Sequence, residues 1–407
     1  MMRILSTFAL AALLAASGCN GAASQADQEP WQDVLAEKGL AATEAQLSEG
    51  EQTEETAFVL GGVRFLRAVE HILQVRYATY QGTLPFIPGM RNPLPPNPDS
   101  RFDPAFLETA MTGALTYLSG AEDALGPALD GTFAVEVPLD ALWFDFNADG
   151  TRQDHEGVLA VMAGLNAEAD DGFDGVVRFD TADAEWLAAY VHVLSGMAEM
   201  VLAADPTPAI QTVSEGRAAL EAAGPTVSLG LIDNEDSWID TAASVLLTLR
   251  GVPDATRTQA AHRHFKAMVE HNTRFWSEVA EEEDDDREWL PNPDQASAFG
   301  VEVTAETAEE WQSVLAEIDA ILDGEALVPY WRIGLPLGSE VPEAYVPVGL
   351  NIGAWMQSPG EMDPVLWIQG AAAAPYLEEG RMADLDAWRR FTRMTGGDSL
   401  LFAVWLN

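Results

Sequence analysis

Glu55-Thr56-Ala57-Phe58-Val59-Leu60-Gly61-Gly62-Val63-Arg64-Phe65-Leu66-Arg67-Ala68-Val69-Glu70-His71-Ile72-Leu73-Gln74-Val75-Arg76-Tyr77-Ala78-Thr79-Tyr80 reads as one long helix. Val59, Val63, Leu66, Val69 and Leu73 recur at intervals of three and four residues, which places them on a single face. Residues 256–281 carry the counterpart of this pattern, and the fold class that follows is mostly α. The two stretches share more than periodicity. Phe65-Leu-Arg-Ala-Val69-Glu70-His71 returns as Phe265-Lys-Ala-Met-Val269-Glu270-His271. Pro96-Asn97-Pro98-Asp99 returns as Pro291-Asn292-Pro293-Asp294, and Gly126-Pro-Ala128-Leu129 as Gly324-Glu-Ala326-Leu327. Val137-Pro138-Leu139 matches Leu335-Pro336-Leu337. The matches keep their order at a nearly constant offset, so an internal duplication into two helical lobes is expected.

Working outward, each long helix leads through a proline-containing polar loop into a second helix, expected over 104–125 and 305–322. Short extended segments follow at 133–137 and 330–335. The first lobe then carries a polar loop, a helix over 156–167, a strand over 176–179 and a helix over 182–204. Residues 209–223 and 237–250 read as bridging helices. The expected domains are a leader at 1–18, a tether and first helix at 19–54, lobe 1 at 55–205, bridging helices at 206–250 and lobe 2 at 251–407.

The polar loop of lobe 1 is the strongest chemical signal: Asp145-Phe-Asn147-Ala-Asp149-Gly150-Thr151-Arg152-Gln153-Asp-His-Glu156. Alternating Asp, Asn and Asp put side-chain oxygens on one concave side. Gly150 permits a sharp turn that brings the Thr151 carbonyl inward. Gln153 reaches the ion directly or through water, and Glu156 closes the loop with two oxygens. A hard cation such as Ca²⁺ takes about six to eight oxygens. The twelve residues resemble the calcium loop of EF-hand proteins at every ligand position. The resemblance implies Ca²⁺ held by Asp145, Asn147, Asp149, Thr151, Gln153 and Glu156. Two features depart from that family. Position 8, usually aliphatic, is Arg152, and the upstream flank Phe133-Ala-Val135-Glu-Val137-Pro138 is extended instead of helical. The expectation is a strand–loop–helix site; the competing reading is a metal-free Asp/Asn/Gly turn.

At the N-terminus, Arg3 precedes an apolar run over 8–16 that is too short to span a bilayer. Ala16-Ser17-Gly18-Cys19 follows and resembles the lipobox of bacterial lipoproteins. The resemblance implies cleavage before Cys19, a lipid on its thiol, and anchorage in the cell envelope. By the same resemblance, Asn20 in place of Asp implies sorting to the outer membrane. A plain secretory leader is the alternative. Cys19 is the single cysteine, so no disulfide can form within the chain.

Asp and Glu total 65 against 21 Lys and Arg, a formal charge of −44. Such a surface repels nucleic acid and anionic headgroups and attracts divalent cations. The acidic run over 281–286 reads as a solvated helix end or loop. His262, His264 and His271 fall on one helix at spacings poor for shared ligation, and the two Glu-His pairs read as packing or hydrogen-bonding groups. Asp180 and Thr181 read as a helix cap. A functional alternative pairs strand 176–179 with the chain near Phe144 and brings Asp180 beside the calcium loop. Twelve tryptophans are spread over both lobes and read mainly as core. Motifs for nucleophile elbows, zinc proteases, phosphate loops and dinucleotide binding are absent. The leading functional reading is a calcium-binding, lipid-anchored envelope protein with a binding or structural role and an unidentified protein or glycan ligand. The alternative is a glycan-directed hydrolase with a carboxylate pair between the lobes.

Overall fold

The computed structural model describes residues 29–80, 94–158, 175–224, 235–283, 285, 287–298, 303–335, 342 and 344–394. The fold is mostly α, as the periodicity requires. The helices, in chain order, are α1 (Trp31–Glu49), α2 (Glu54–Thr79), α3 (Phe106–Leu129), α4 (Thr181–Ala204), α5 (Thr207–Ala223), α6 (Glu235–Thr248), α7 (Ala255–Val279), α8 (Ala305–Leu322), α9 (Ile352–Gln357), α10 (Pro364–Gln369) and α11 (Leu385–Met394). The strands are β1 (Ala134–Pro138), β2 (Val176–Asp180), β3 (Val328–Pro329), β4 (Val348–Leu350) and β5 (Leu377–Glu379).

Local chemistry sets the helix starts. Thr53 caps α2 and exchanges hydrogen bonds with Thr56, and Asp180 and Asp183 do the same at α4. Asp254 and Thr304 cap α7 and α8 by accepting the amides of Arg257 and Thr307. Inside α1 the backbone breaks at Gly39, with φ of 78°. A side chain there would meet the Trp143 ring at 2.8 Å. The helix therefore folds around this fully buried indole, which donates to the Leu35 carbonyl at 3.1 Å.

The helices pack in a row: α2 on α3, α3 on α4, α4 on α7, α7 on α8, and α8 on α11. The middle place of α4 explains its composition. It is the one helix among the described residues long and apolar enough to cross a membrane, and 56% of its most apolar window is buried in the protein. A helix flanked on both sides has little polar face to keep. One apolar core runs through this row, from Leu35 and Phe58 through Leu118 and Leu187 to Phe275, Leu315 and Phe391. A smaller cluster, Tyr330, Leu350, Ala373 and Tyr376, lies under the β3–β4–β5 sheet. Helices α5 and α6 pack on each other, with α5 touching α3.

Strands β1 and β2 pair antiparallel, with Val137 opposite Val177 and Ala134 opposite Asp180. The alternative pairing of β2 with the chain near Phe144 is therefore not the one formed, and the cap reading of Asp180 holds. Trp143 instead bridges Gly157 across the polar loop, and Asp180 lies at the far end of the β1–β2 pair from it. The extended segment expected at 330–335 also shifts. The strand is Val328–Pro329, because Leu350 and Gly349 offer edge hydrogen bonds there, and the chain turns at Tyr330, whose carbonyl accepts the Ile333 amide at 2.9 Å. The helix expected over 156–167 lies mostly outside the described residues.

The repeated motif residues have different neighbours in the two halves. Phe65 meets Tyr190 edge-on at 5.8 Å, whereas Phe265 faces Gly196. His71 lies over α3 near Gly113 and the Thr109 carbonyl, whereas His271 meets Glu185 of α4. Glu70 is buried, whereas Glu270 is exposed and paired with Arg274.

Candidate functional site

The loop over 145–156 is closed by its own acids. The Asp145 carboxylate accepts the Asp149 amide at 3.0 Å through one oxygen and the Gly150 amide at 2.8 Å through the other. Asn147 Oδ1 also accepts the Asp149 amide, at 3.0 Å, and Asn147 Nδ2 donates to Asp149 Oδ2 at 2.8 Å. Asp149 Oδ1 accepts the Thr151 amide at 2.8 Å. Gly150 takes φ of 70°, the left-handed conformation that the turn demands. Ala148, with φ of 57°, adopts it despite its side chain. Glu156 is fully buried, and its oxygens accept the amides of Phe146 at 3.1 Å and Gln153 at 2.8 Å. Burial pushes the Glu156 carboxyl above the ordinary range, against the pull of those two amides. Arg152 points away, donating to the Asp140 carbonyl at 2.6 Å.

Two pieces of the fold hold this loop. At its base, the Phe144 amide donates to the Glu156 carbonyl at 2.8 Å and the Val158 amide to the Leu142 carbonyl at 2.9 Å. From the side comes α2. Glu70 Oε1 accepts the Asp145 amide at 2.9 Å, and Gln74 Nε2 donates to the Asp145 carbonyl at 2.8 Å. Glu70 Oε2 is taken by Arg67, which also donates to Tyr117 Oη at 2.9 Å and lies 5.0 Å from the centre of that ring. Burial raises the Glu70 carboxyl, while the Asp145 amide and Arg67 oppose the rise. Glu70 was legible in the sequence only as half of a repeated Glu-His pair. Its contact with the loop joins residues 75 apart.

The donor set suits a hard cation. Asp145, Asn147, Asp149, Thr151, Gln153 and Glu156 offer only oxygens, and an oxygen that accepts one amide keeps a second lone pair. Asp145, Asp149 and Glu156 are not among the groups of His, Asp and Glu donors that converge within 4.8 Å among the described residues. Those groups are Glu122–His192–His264 and Asp180–Glu282–Glu288.

The first of these lies between α3, α4 and α7. His192 Nδ1 and His264 Nδ1 stand 3.0 Å apart, and His192 Nε2 lies 4.0 Å from Glu122 Oε1. Burial, then the neighbouring His271 and His264, bring His192 down to about 4, and burial lowers His264. His262, by contrast, turns to the Leu322 carbonyl at 2.9 Å. Neither His192 nor Glu122 carried a sequence signal, since His192 and His264 are 72 residues apart and no local spacing joins them. Trp289, next in sequence to Glu288, stands 5.3 Å from Trp186 and 5.6 Å from Phe179. Separately, Tyr80, Phe106, Val201, Ile210 and Val245 help to wall a cavity of about 690 Å³ between α3, α4, α5 and α6.

Cys19 and the apolar run before it lie outside the described residues. No protein-family model, curated protein or solved structure matches the chain.

Proposed function

We propose that the chain is a calcium-binding protein with a binding or structural role, held at the cell envelope of a bacterium by lipid on Cys19. The supporting observation is the Asp145 carboxylate. It gathers the Asp149 and Gly150 amides while Asn147, Asp149, Gln153 and Glu156 supply further oxygens along the same turn. Calcium neutralises acids that otherwise repel one another, so its contribution is to fix the loop. The chain's residues do the rest: Glu70 and Gln74 fasten the loop to α2, and the Phe144–Glu156 bond fastens it to the end of the β1–β2 region. Titration calorimetry and thermal melts test the reading. Calcium raises the melting temperature in a saturable step, magnesium does so poorly, and Asp145→Ala abolishes the step. Equal stabilisation of wild type and Asp145→Ala by calcium overturns it. With no second calcium loop paired to it among the described residues, affinity of the order of 10⁻⁴–10⁻³ M is expected. Mass spectrometry of the mature N-terminus tests the anchor separately; a soluble form with unmodified Cys19 overturns that part.

A second reading is a glycan-directed hydrolase using a carboxylate pair, with Asp180, Glu282 and Glu288 as the converging acids. Release of reducing ends from a glycan panel, lost in Glu288→Gln, supports it; no release from any glycan overturns it.

A further inference from the structure

Glu122, His192 and His264 belong to three different helices, α3, α4 and α7, yet one donor atom of each lies within 4.8 Å of the other two. Zinc holds nitrogen and oxygen donors at about 2.0–2.2 Å, so two of them at a tetrahedral angle stand about 3.3–3.6 Å apart. His192 Nδ1 stands 3.0 Å from His264 Nδ1, and the other nitrogen of that ring, Nε2, stands 4.0 Å from Glu122 Oε1, so a single ion takes one of the two His192 nitrogens and draws the third residue in to that spacing. Glu122 is the member free to move, with a side chain 51% exposed. The histidine side is firm. His192 is buried, and the His271 ring stacks on it at 5.2 Å and an angle of 21°. Glu185 meets His271 Nδ1 at 2.5 Å, fixing that ring in turn.

We propose that Glu122, His192 and His264 form a site for a divalent transition metal of the zinc class, separate from the calcium loop. Two imidazoles and one carboxylate suit zinc, cobalt or ferrous iron and serve calcium badly, because calcium takes oxygen donors in larger number. Three protein donors leave a coordination position for water on the exposed Glu122 side, which is also the route of entry.

The test uses the full chain with calcium in excess, so that the loop is saturated. Cobalt(II) is titrated while its visible d–d absorption is read, and zinc is then added as competitor. The expected result is one cobalt equivalent per chain, displaced by zinc. Binding weakens by about ten-fold or more in Glu122→Gln. The band disappears in His264→Ala and is retained in Asp145→Ala. Glu122→Gln changes a half-exposed position, so it decides the matter even where His264→Ala disturbs the bundle. No band at millimolar cobalt, or a band of unchanged affinity in Glu122→Gln, overturns the site and leaves the two rings as a hydrogen-bonded core pair.

Discussion

Glu70 is 2% exposed and divides its two oxygens between the Asp145 amide and Arg67. It ligates nothing in the proposed calcium site, but it sets where the loop begins. Glu70→Ala leaves a buried amide without its acceptor, which costs about 1–3 kcal/mol of stability. It also lowers calcium affinity by about ten-fold, as loss of an orienting partner does. Calorimetry reads both effects; unchanged affinity means the loop holds its shape without α2. A second buried acid behaves differently. Burial, and then the charge of Asp180, hold the Asp183 carboxyl well above its usual range, with Glu282 and Glu288 adding to the rise. The folded state therefore binds this proton more tightly than the unfolded state. Asp183 favours folding at low pH, and that contribution is lost as pH rises from the ordinary carboxylate range through its folded value. Asp183→Asn can still accept the Asp180 amide while carrying no charge. Urea midpoints of the variant, with calcium held constant, should lie above wild type at pH 8 and approach it at acid pH. A larger advantage for the variant at acid pH would contradict this assignment.

Between elements, close packing decides what the sequence tolerates. Helix α7 lies against α4 because Gly196 leaves room for the Phe265 ring; an added Cβ would stand 2.6 Å from it. Gly196→Ala improves local helix propensity by about 0.5–1 kcal/mol. The overlap drives Phe265 from its place, and overpacking of this kind costs about 1–3 kcal/mol. The net expected effect is a lower melting temperature, partly restored by Phe265→Leu in the same chain. A variant as stable as wild type would mean that α4 and α7 slide freely. The helix limits are largely legible in the chain itself: the sequence pattern marks 305–322, and α8 is Ala305–Leu322. Caps and apolar spacing act within four residues, so they show in a single chain. The partner of β2 was not legible, since Val177 finds Val137 across a gap of forty residues and several short apolar runs compete for it.

At the scale of the molecule, two properties are open to measurement. The formal charge of −44 makes the folded chain repel itself. In chelator, sodium chloride should raise the melting temperature gradually as screening shortens below about 10 Å. Calcium should then add a saturable step that salt does not imitate, and a calcium response identical to that of equal ionic strength argues against a specific site. The apolar core is continuous, with Leu118 of α3 and Leu315 of α8 each 1% exposed within it. Leu118→Ala and Leu315→Ala should each cost about 2–5 kcal/mol and lower the same calorimetric transition. Two separable transitions, each moved by one variant, would show halves that unfold independently.

The sequence by itself determined the helical class, the helix starts and the order of oxygen donors in the loop. These depend on periodicity, capping and turn chemistry, which are properties of neighbours along the chain. Tertiary structure alone decided that Glu70 anchors Asp145, that α4 lies in the middle of the row, and that Glu122, His192 and His264 converge. Each of these depends on which apolar faces bury one another. Many pairings of similar faces satisfy the local pattern equally, and only packing the whole chain selects among them.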